Sequence, residues 1–189
     1  MAQTKKYELT DETKIVNGVT LYRIRALVAI AAIGVAAGDL GGWIEREDNL
    51  SQVSGNAQVY GDAWVYGDAR VYGDAQVYGD ARVSGDAWVY GNARVSGGAR
   101  VSGNARVYGD AWVSGVNLVS TRSDGYTFLV APTPEGPRII AGCRYFTFKE
   151  AKAHWKATRG GTKLGDESLL IVKHLEGMAK LNGFMEPVV

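Results

Sequence analysis

Few side chains in this sequence can make or break bonds, and those that can stand together near one end. The two histidines, His154 and His174, and the single cysteine, Cys143, all fall in the last third of the 189 residues. Cys143 with His154 offers a nucleophile and a base, the pairing a thiol needs to attack a carbonyl. A cysteine closing the apolar run PRIIAGC reads more simply as a packed core residue. His174 sits among apolar residues at helical spacing, so packing accounts for it as well. No histidine cluster is spaced to hold a zinc ion. No catalytic residue, metal site or cofactor is therefore expected.

The remaining candidates are aromatic and cationic. Trp64, Trp88 and Trp112 recur at one constant interval, and Arg70, Arg82, Arg94, Arg100 and Arg106 lie between them. Tyr72, Tyr90 and Tyr108 recur at a second, shorter interval, which Tyr60 and Tyr78 share. An arginine over an exposed aromatic face is worth about 0.5–1 kcal/mol. Such contacts could serve only to stiffen the chain through stacking. Exposed Trp, Tyr and Arg are also the residues of protein-binding hot spots.

What positions them is a strict repeat. Valine occupies every sixth position from Val53 to Val113, with glycine two places later and, as far as Ala111, alanine four places later. Asp or Asn follows the glycine except at Gly98 and Val116. The unit is V-[YS]-G-[DN]-A-x. Its valine and alanine are the consistent apolar positions and must face inward, while Y-G-D and S-G-N are turn chemistry. Each hexad is thus a short strand plus a corner, and three corners close an 18-residue coil. Coils stacked at the strand spacing of about 4.8 Å give a left-handed parallel β-helix of roughly 3.5–4 coils over residues 52–117. Positions three hexads apart then share a column, which is the tyrosine interval, whereas the tryptophans recur every fourth hexad. Trp64 aligns with Arg82 and Arg100, and Trp88 with Arg70 and Arg106. Trp112 follows Gln58, Gln76 and Arg94. The aspartates of the GD pairs read as corners, since a calcium-binding roll needs a nine-residue period and a denser acidic set.

The flanks read as caps. In residues 1–51, VTLYRIRALV alternates like a strand after the Asn17-Gly18 turn, and AGDLGGWIEREDNLS reads as a degenerate lead-in coil. Residues 118–189 predict a small α+β unit: GYTFLVA and PRIIAGC form a hairpin across PTPEG. TFKE is a capping box opening a helix that runs to about Arg159. A second helix is expected from about Asp166 to Asn182, burying Leu170, Ile171, His174, Leu175, Met178 and Leu181.

Several function classes recede on composition. A net charge of +1 gives no global field for nucleic acid or an anionic membrane. On the coils five arginines meet six aspartates, so attraction to phosphate would be slight. The apolar run Ala26–Gly38 is thirteen residues long, against the roughly 20 needed to cross a bilayer. It is expected to be a buried strand or helix segment. With no signal-like start and a lone cysteine, the expected location is the cytoplasm.

The order LYRIRAL, AGDLGGWIE, NLS, the V-x-G-[DN]-A-x repeats, STRSDGYTF and GCRYFTFKEAKAHW resembles a group of hexapeptide-repeat β-helical proteins common in phage and prophage genomes. Some of that group carry a putative-transferase label based on fold alone. The resemblance implies a phage origin, and with it the cytoplasm of a bacterial host cell, and names no reaction. Hexapeptide acyltransferases, similar in shape, use a histidine on the coil as general base, and this array has none. The resulting expectation is a non-enzymatic accessory protein that docks on a host bacterial protein and inhibits a defence or metabolic factor. Its candidate surface is Trp64, Trp88, Trp112, Arg70, Arg82, Arg100, Arg106, Tyr72, Tyr90 and Tyr108. A sugar or small-ligand binder is the alternative, and a hexapeptide-type acyltransferase the third reading. Dimers or trimers through the Tyr72–Tyr90–Tyr108 column are also expected.

Overall fold

The computed structural model describes residues 5–53, 55–114 and 118–185. Two long strands, β1 (Tyr7–Val16) and β2 (Val19–Ala26), form an antiparallel hairpin. Its turn places Asn17 and Gly18 at φ 51° and 81°, the left-handed pair a tight hairpin needs. Sequence reading locates the second strand but misses the first, because YELTDETKIV is largely polar and only Tyr7 in it is buried. β2 pairs antiparallel with β3 (Leu40–Ile44), and β3 begins the solenoid.

The hexads follow as β4 (Gln58–Val59), β5 (Trp64–Val65), β6 (Arg70–Val71), β7 (Gln76–Val77) and β8 (Arg82–Val83). They continue as β9 (Trp88–Val89), β10 (Arg94–Ser96), β11 (Arg100–Val101), β12 (Arg106–Val107) and β13 (Trp112–Ser114). Every third strand pairs in parallel, giving three sheet faces: β5–β8–β11, β6–β9–β12, and β4–β7–β10–β13. These are faces one, two and three below. The result is a parallel β-solenoid of about four turns, as the hexad arithmetic requires. Val65, Val77, Val83, Val89 and Val95 are fully buried, as are the alanines between them, so the interior is a column of small side chains. The far end of the array, expected at residue 117, lies beyond Ser114 and outside the described residues.

The lead-in coil is real but incomplete. Trp43 and Ile44 pair with Trp64 and Val65, and Leu50 bridges to Val71. Ile24, Tyr7 and Ile44 join the valine column from below. The expectation of a buried segment over Ala26–Gly38 is not met. None of those thirteen residues is buried; Ala26 ends β2, and the rest is a loop with one 3-10 turn at Ala31–Ile33. The hairpin completes its strand pairings at Ala26, the first residue of the run, so the loop that follows lies outside the core.

Beyond the coils the expected hairpin is part of a four-stranded antiparallel sheet: β14 (Leu118–Thr121), β15 (Thr127–Ala131), β16 (Arg138–Ala141) and β17 (Arg144–Phe146). Alternation divides its two faces. Leu129, Ala131 and Ile140 close the solenoid core, while Phe128, Val130, Ile139 and Ala141 pack against the helices. Helix α1 (Phe148–Arg159) opens on the anticipated capping box, with the Thr147 hydroxyl accepting from the Glu150 amide at 3.2 Å. Helix α2 (Lys163–Leu181) starts three residues earlier than expected, capped by Thr162. Its buried face is Gly165, Ser168, Val172, Leu175 and Ala179. The expected stripe is thereby rotated: Leu170 and Leu181 are 68% and 83% exposed and His174 is also on the surface. The small residues Ser168 and Ala179 let the helix approach the sheet, and a hydropathy pattern undervalues them. Arg122, 4% exposed, ties this helix to the sheet through Ser168 Oγ at 2.9 Å.

Candidate functional site

The columns expected from the three-hexad coil are all present, yet the caps treat the three faces differently. On face one the strands stack Trp43, Trp64, Arg82 and Arg100 in register. Strand β1 lays Lys14 Nζ 4.1 Å from the Trp43 ring and 4.4 Å from the Trp64 ring. Arg23 lies 5.1 Å from Trp43, and Arg82 lies 4.1 Å from Trp64. Two indoles thus hold three cations. Burial lowers the Lys14 pKa, opposed by Asp62, with Arg23 and Arg82 pushing it down further. Trp43 Nε1, Trp64 Nε1 and Arg23 Nε are buried without hydrogen-bond partners. This face is largely consumed by the N-terminal hairpin. Lys14, Arg23 and Trp43 were not foreseen, because they come from cap segments with no repeat to place them.

On face three Gln58, Gln76, Arg94 and Trp112 align. The Trp112 backbone amide donates to the Pro132 carbonyl at 2.9 Å, and its indole donates to Ser96 Oγ at 3.3 Å. The Trp112 backbone is therefore tied to the C-terminal cap, while its indole is held within the coils by β10. At the corner beyond this face Tyr60 and Tyr78 stack at 5.0 Å, with 4° between their planes.

Face two carries Arg70, Trp88 and Arg106 in one column. Arg106 sits 4.9 Å from the Trp88 ring, while Arg70 is exposed. Beside it runs the tyrosine column. Tyr72 and Tyr90 stack at 4.9 Å, and Tyr90 and Tyr108 at 5.1 Å. Tyr145 of the C-terminal sheet caps the column at 5.5 Å. The Tyr72 ring meets Trp88 edge-on, 6.1 Å away. Burial pushes the Tyr108 phenol up to about 12, with Tyr90 and Cys143 acting the same way. Here the lead-in coil does not cover the indole but shapes a groove in front of it. Glu47, Asp48, Val53, Arg70, Tyr72 and Trp88 line a concavity of about 490 Å³. Val53 is 58% exposed at its edge. Of the ten residues expected to form a binding surface, Trp88, Arg70 and Tyr72 meet in this groove. Glu47 and Asp48 had no signal in the sequence beyond their acidity.

The thiol and the histidines are placed otherwise than chemistry would ask. Cys143 is exposed at the β16–β17 turn instead of packed in the core, because it follows Gly142 out of the strand. His154 packs against Phe146 at 4.9 Å and Trp155 at 4.7 Å, and burial and Arg144 lower its pKa. Among the described residues no hydrogen bond joins Cys143 to His154.

Parallel coils with a six-residue period, closed by a cap at each end, make this chain a repeat β-helix protein. Four stretches of it, residues 51–67, 75–91, 87–102 and 99–115, match the family described as YdcK beta solenoid repeat. No curated protein matches the chain in sequence. Neither helix is long and apolar enough to cross a membrane.

Proposed function

We propose that this solenoid is a non-enzymatic binding module that docks a protein partner on face two, in the groove of Trp88, Tyr72 and Arg70. The observation that carries the reading is the difference between the faces. The N-terminal cap lays Lys14 over Trp64 and the Trp112 indole is held by Ser96 of its own coil stack, whereas Trp88 faces a groove rimmed by an exposed arginine and two carboxylates. A rigid aromatic wall with an adjacent charge is the composition of an interface hot spot, which loses little entropy on binding. The fitting partner presents an apolar or aromatic side chain to Trp88 and a carboxylate to Arg70. The phage-like order of motifs around GDLGGWIE supports a host bacterial protein in that role, with inhibition of a defence or metabolic factor as the outcome. No histidine lies on the coils, which supports binding over acyl transfer.

The test is affinity capture from bacterial lysate with the wild type and with Trp88→Ala/Arg70→Ala, followed by a Kd for the purified partner. The double substitution is expected to weaken binding by at least about 30-fold, the scale of a hot spot near 2 kcal/mol. A partner held equally well by both proteins refutes face two as the site. The concavity of the groove also favours a second reading, a sugar ring stacked on Trp88 with Glu47 and Asp48 on its hydroxyls. A glycan array that responds to Trp88→Ala, in the absence of any protein partner, would select it.

A further inference from the structure

Among the described residues, face three of the solenoid begins one strand short. In each coil the lower strand donates upward: the Gln58 amide reaches the Ala75 carbonyl at 2.9 Å and the Tyr60 amide the Val77 carbonyl at 3.0 Å. Backbone groups alternate in direction along a strand, so the Val59 amide and the Ala57 carbonyl point the other way, below the first coil. On face one the equivalent positions are filled, since the Trp43 and Glu45 amides donate to the carbonyls of Ala63 and Val65 at 2.9 and 3.1 Å. On face two the Ser51 amide donates to Val71 at 2.9 Å. On face three, among the described residues, β4 is the last strand of its sheet. The hexad spacing would bring Ala37–Gly38 beneath it, but the Gly38 amide turns back to the Ala26 carbonyl instead.

The vacated position is a cleft of about 610 Å³. Its inner wall includes Ile24, Leu50 and Val59, and its outer wall is the loop bearing Ile30, Ile33 and Val35. That loop belongs to the thirteen-residue apolar run of which no residue is buried. Lys6 and Asp39 are the charged residues of the lining, and both are committed, to the Gly55 carbonyl and the Ala36 amide. Gly41 and Gly42 pass under Val59 so closely that a Cβ on either would lie 2.8 Å from it, which leaves the vacancy beneath Ala57 and Gln58.

We infer that this cleft is a second binding site, separate from the face-two groove, for an extended and uncharged peptide segment added beneath β4. The slot continues an interface already built, the β13–β10–β7–β4 ladder, and one incoming residue satisfies it. In the parallel pattern that residue donates to the Ala57 carbonyl and accepts from the Val59 amide, as Gln58 does under Gln76. Its own side chain points outward below Gln58. The residue before it points inward, toward Leu50 and Ile24, and is aliphatic. Ile30, Ile33 and Val35 then lie against apolar chain instead of water, which accounts for an otherwise unburied apolar loop. A neutral segment matches a cleft whose Lys6 and Asp39 are opposite in charge and each already hydrogen-bonded to backbone.

The probe is a capped hexapeptide of alternating Thr and Val, added to the full chain and followed by fluorescence anisotropy and residue-resolved amide exchange. Saturable binding is expected, with slowed exchange at the Val59 amide. Methylating the backbone nitrogens of the three threonines should weaken it at least tenfold, with the protein itself unaltered. Ile33→Asp/Val35→Asp, at positions outside the core, should do the same. The inference is overturned if the peptide fails to saturate by about 1 mM, or if N-methylation leaves binding unchanged. It is equally overturned if Val59 exchange is unaffected, or if dodecanoate fills the cleft while the peptide does not.

Discussion

Two glycines at equivalent corners separate what the coil stack contributes from what the backbone conformation demands. Gly85 and Gly103 stand one full coil apart, at φ +66° and +62°. Alanine at either position enters the left-handed region at a cost of about 1–2 kcal/mol. Their surroundings differ. A Cβ on Gly85 would lie 3.0 Å from the Gly103 nitrogen and 3.3 Å from its Cα, atoms of the next coil's backbone that cannot swing aside. A Cβ on Gly103 meets nothing within 4 Å, because no further coil covers that corner. The extra collision at Gly85 is of the overpacking kind, worth about 1–3 kcal/mol. Gly85→Ala should therefore cost about 2–5 kcal/mol in all and Gly103→Ala about 1–2. Equilibrium urea unfolding measures both, with a slope m of about 2 kcal/mol/M for a chain of this size. The Gly85→Ala midpoint should fall below that of Gly103→Ala by roughly 0.5–1.5 M, with equal slopes. Equal midpoints would refute the argument, for they would mean that neighbouring corners do not touch.

Two further predictions concern the C-terminal cap and the tyrosine column. Hydrogen bonding to Arg122 holds the Asp124 carboxyl down to about 2, below its ordinary 3.8. A depressed folded-state pKa stabilises above the unfolded value and is lost as pH falls, so this contribution fades between about pH 4 and 2. Thermal unfolding across that window should fall less steeply for Asp124→Asn, and an unchanged slope would remove the pair from the acid response. The Tyr108 hydroxyl is buried without a partner. Tyr108→Phe should leave the urea midpoint unchanged or raise it, and a loss above about 1 kcal/mol would show that the hydroxyl is satisfied.

The coils were legible because each rests on a local rule repeated many times. A valine at every sixth position with a turn two places later leaves one way to bury the valines and close the chain. The Thr147–Glu150 capping box and the Asn17-Gly18 turn were readable for a similar reason, since their geometry is contained in a few adjacent residues. Elements decided by packing at a distance were not. The face of α2 was misjudged because Ser168 and Ala179 lie against the sheet while larger residues, Leu170 and Leu181, face water. Strand β1 escaped notice because its partners, β2 and the lead-in coil, supply the apolar side of the contact. The aromatic and arginine columns followed from arithmetic, but which of them the caps leave beside a groove did not.

That last distinction lies in the non-repetitive segments. A tryptophan in every fourth hexad, on a coil of three hexads, steps forward by one face each time. The repeat by itself therefore places one tryptophan on each wall without preference. Preference comes from the caps. Strand β1 extends far enough to set Lys14 over Trp64, and the β15–β16 turn brings Pro132 to the Trp112 backbone amide, while the indole itself is held by Ser96 of the coils. On face two the lead-in coil arrives as the short turn Glu47–Asn49, whose acidic side chains border Trp88 without covering it. Asn49 fixes that turn, since its side-chain amide donates to the carbonyls of Gly67 and Ala69 at 3.0 and 2.8 Å. The solenoid is thus a uniform frame on which the caps decide what lies in front of each wall, and the proposed docking wall is the one they leave as a groove. If face two docks a partner as proposed, changes to cap residues such as Lys14 or Glu47 should alter recognition while the valine column that holds the fold together is left untouched.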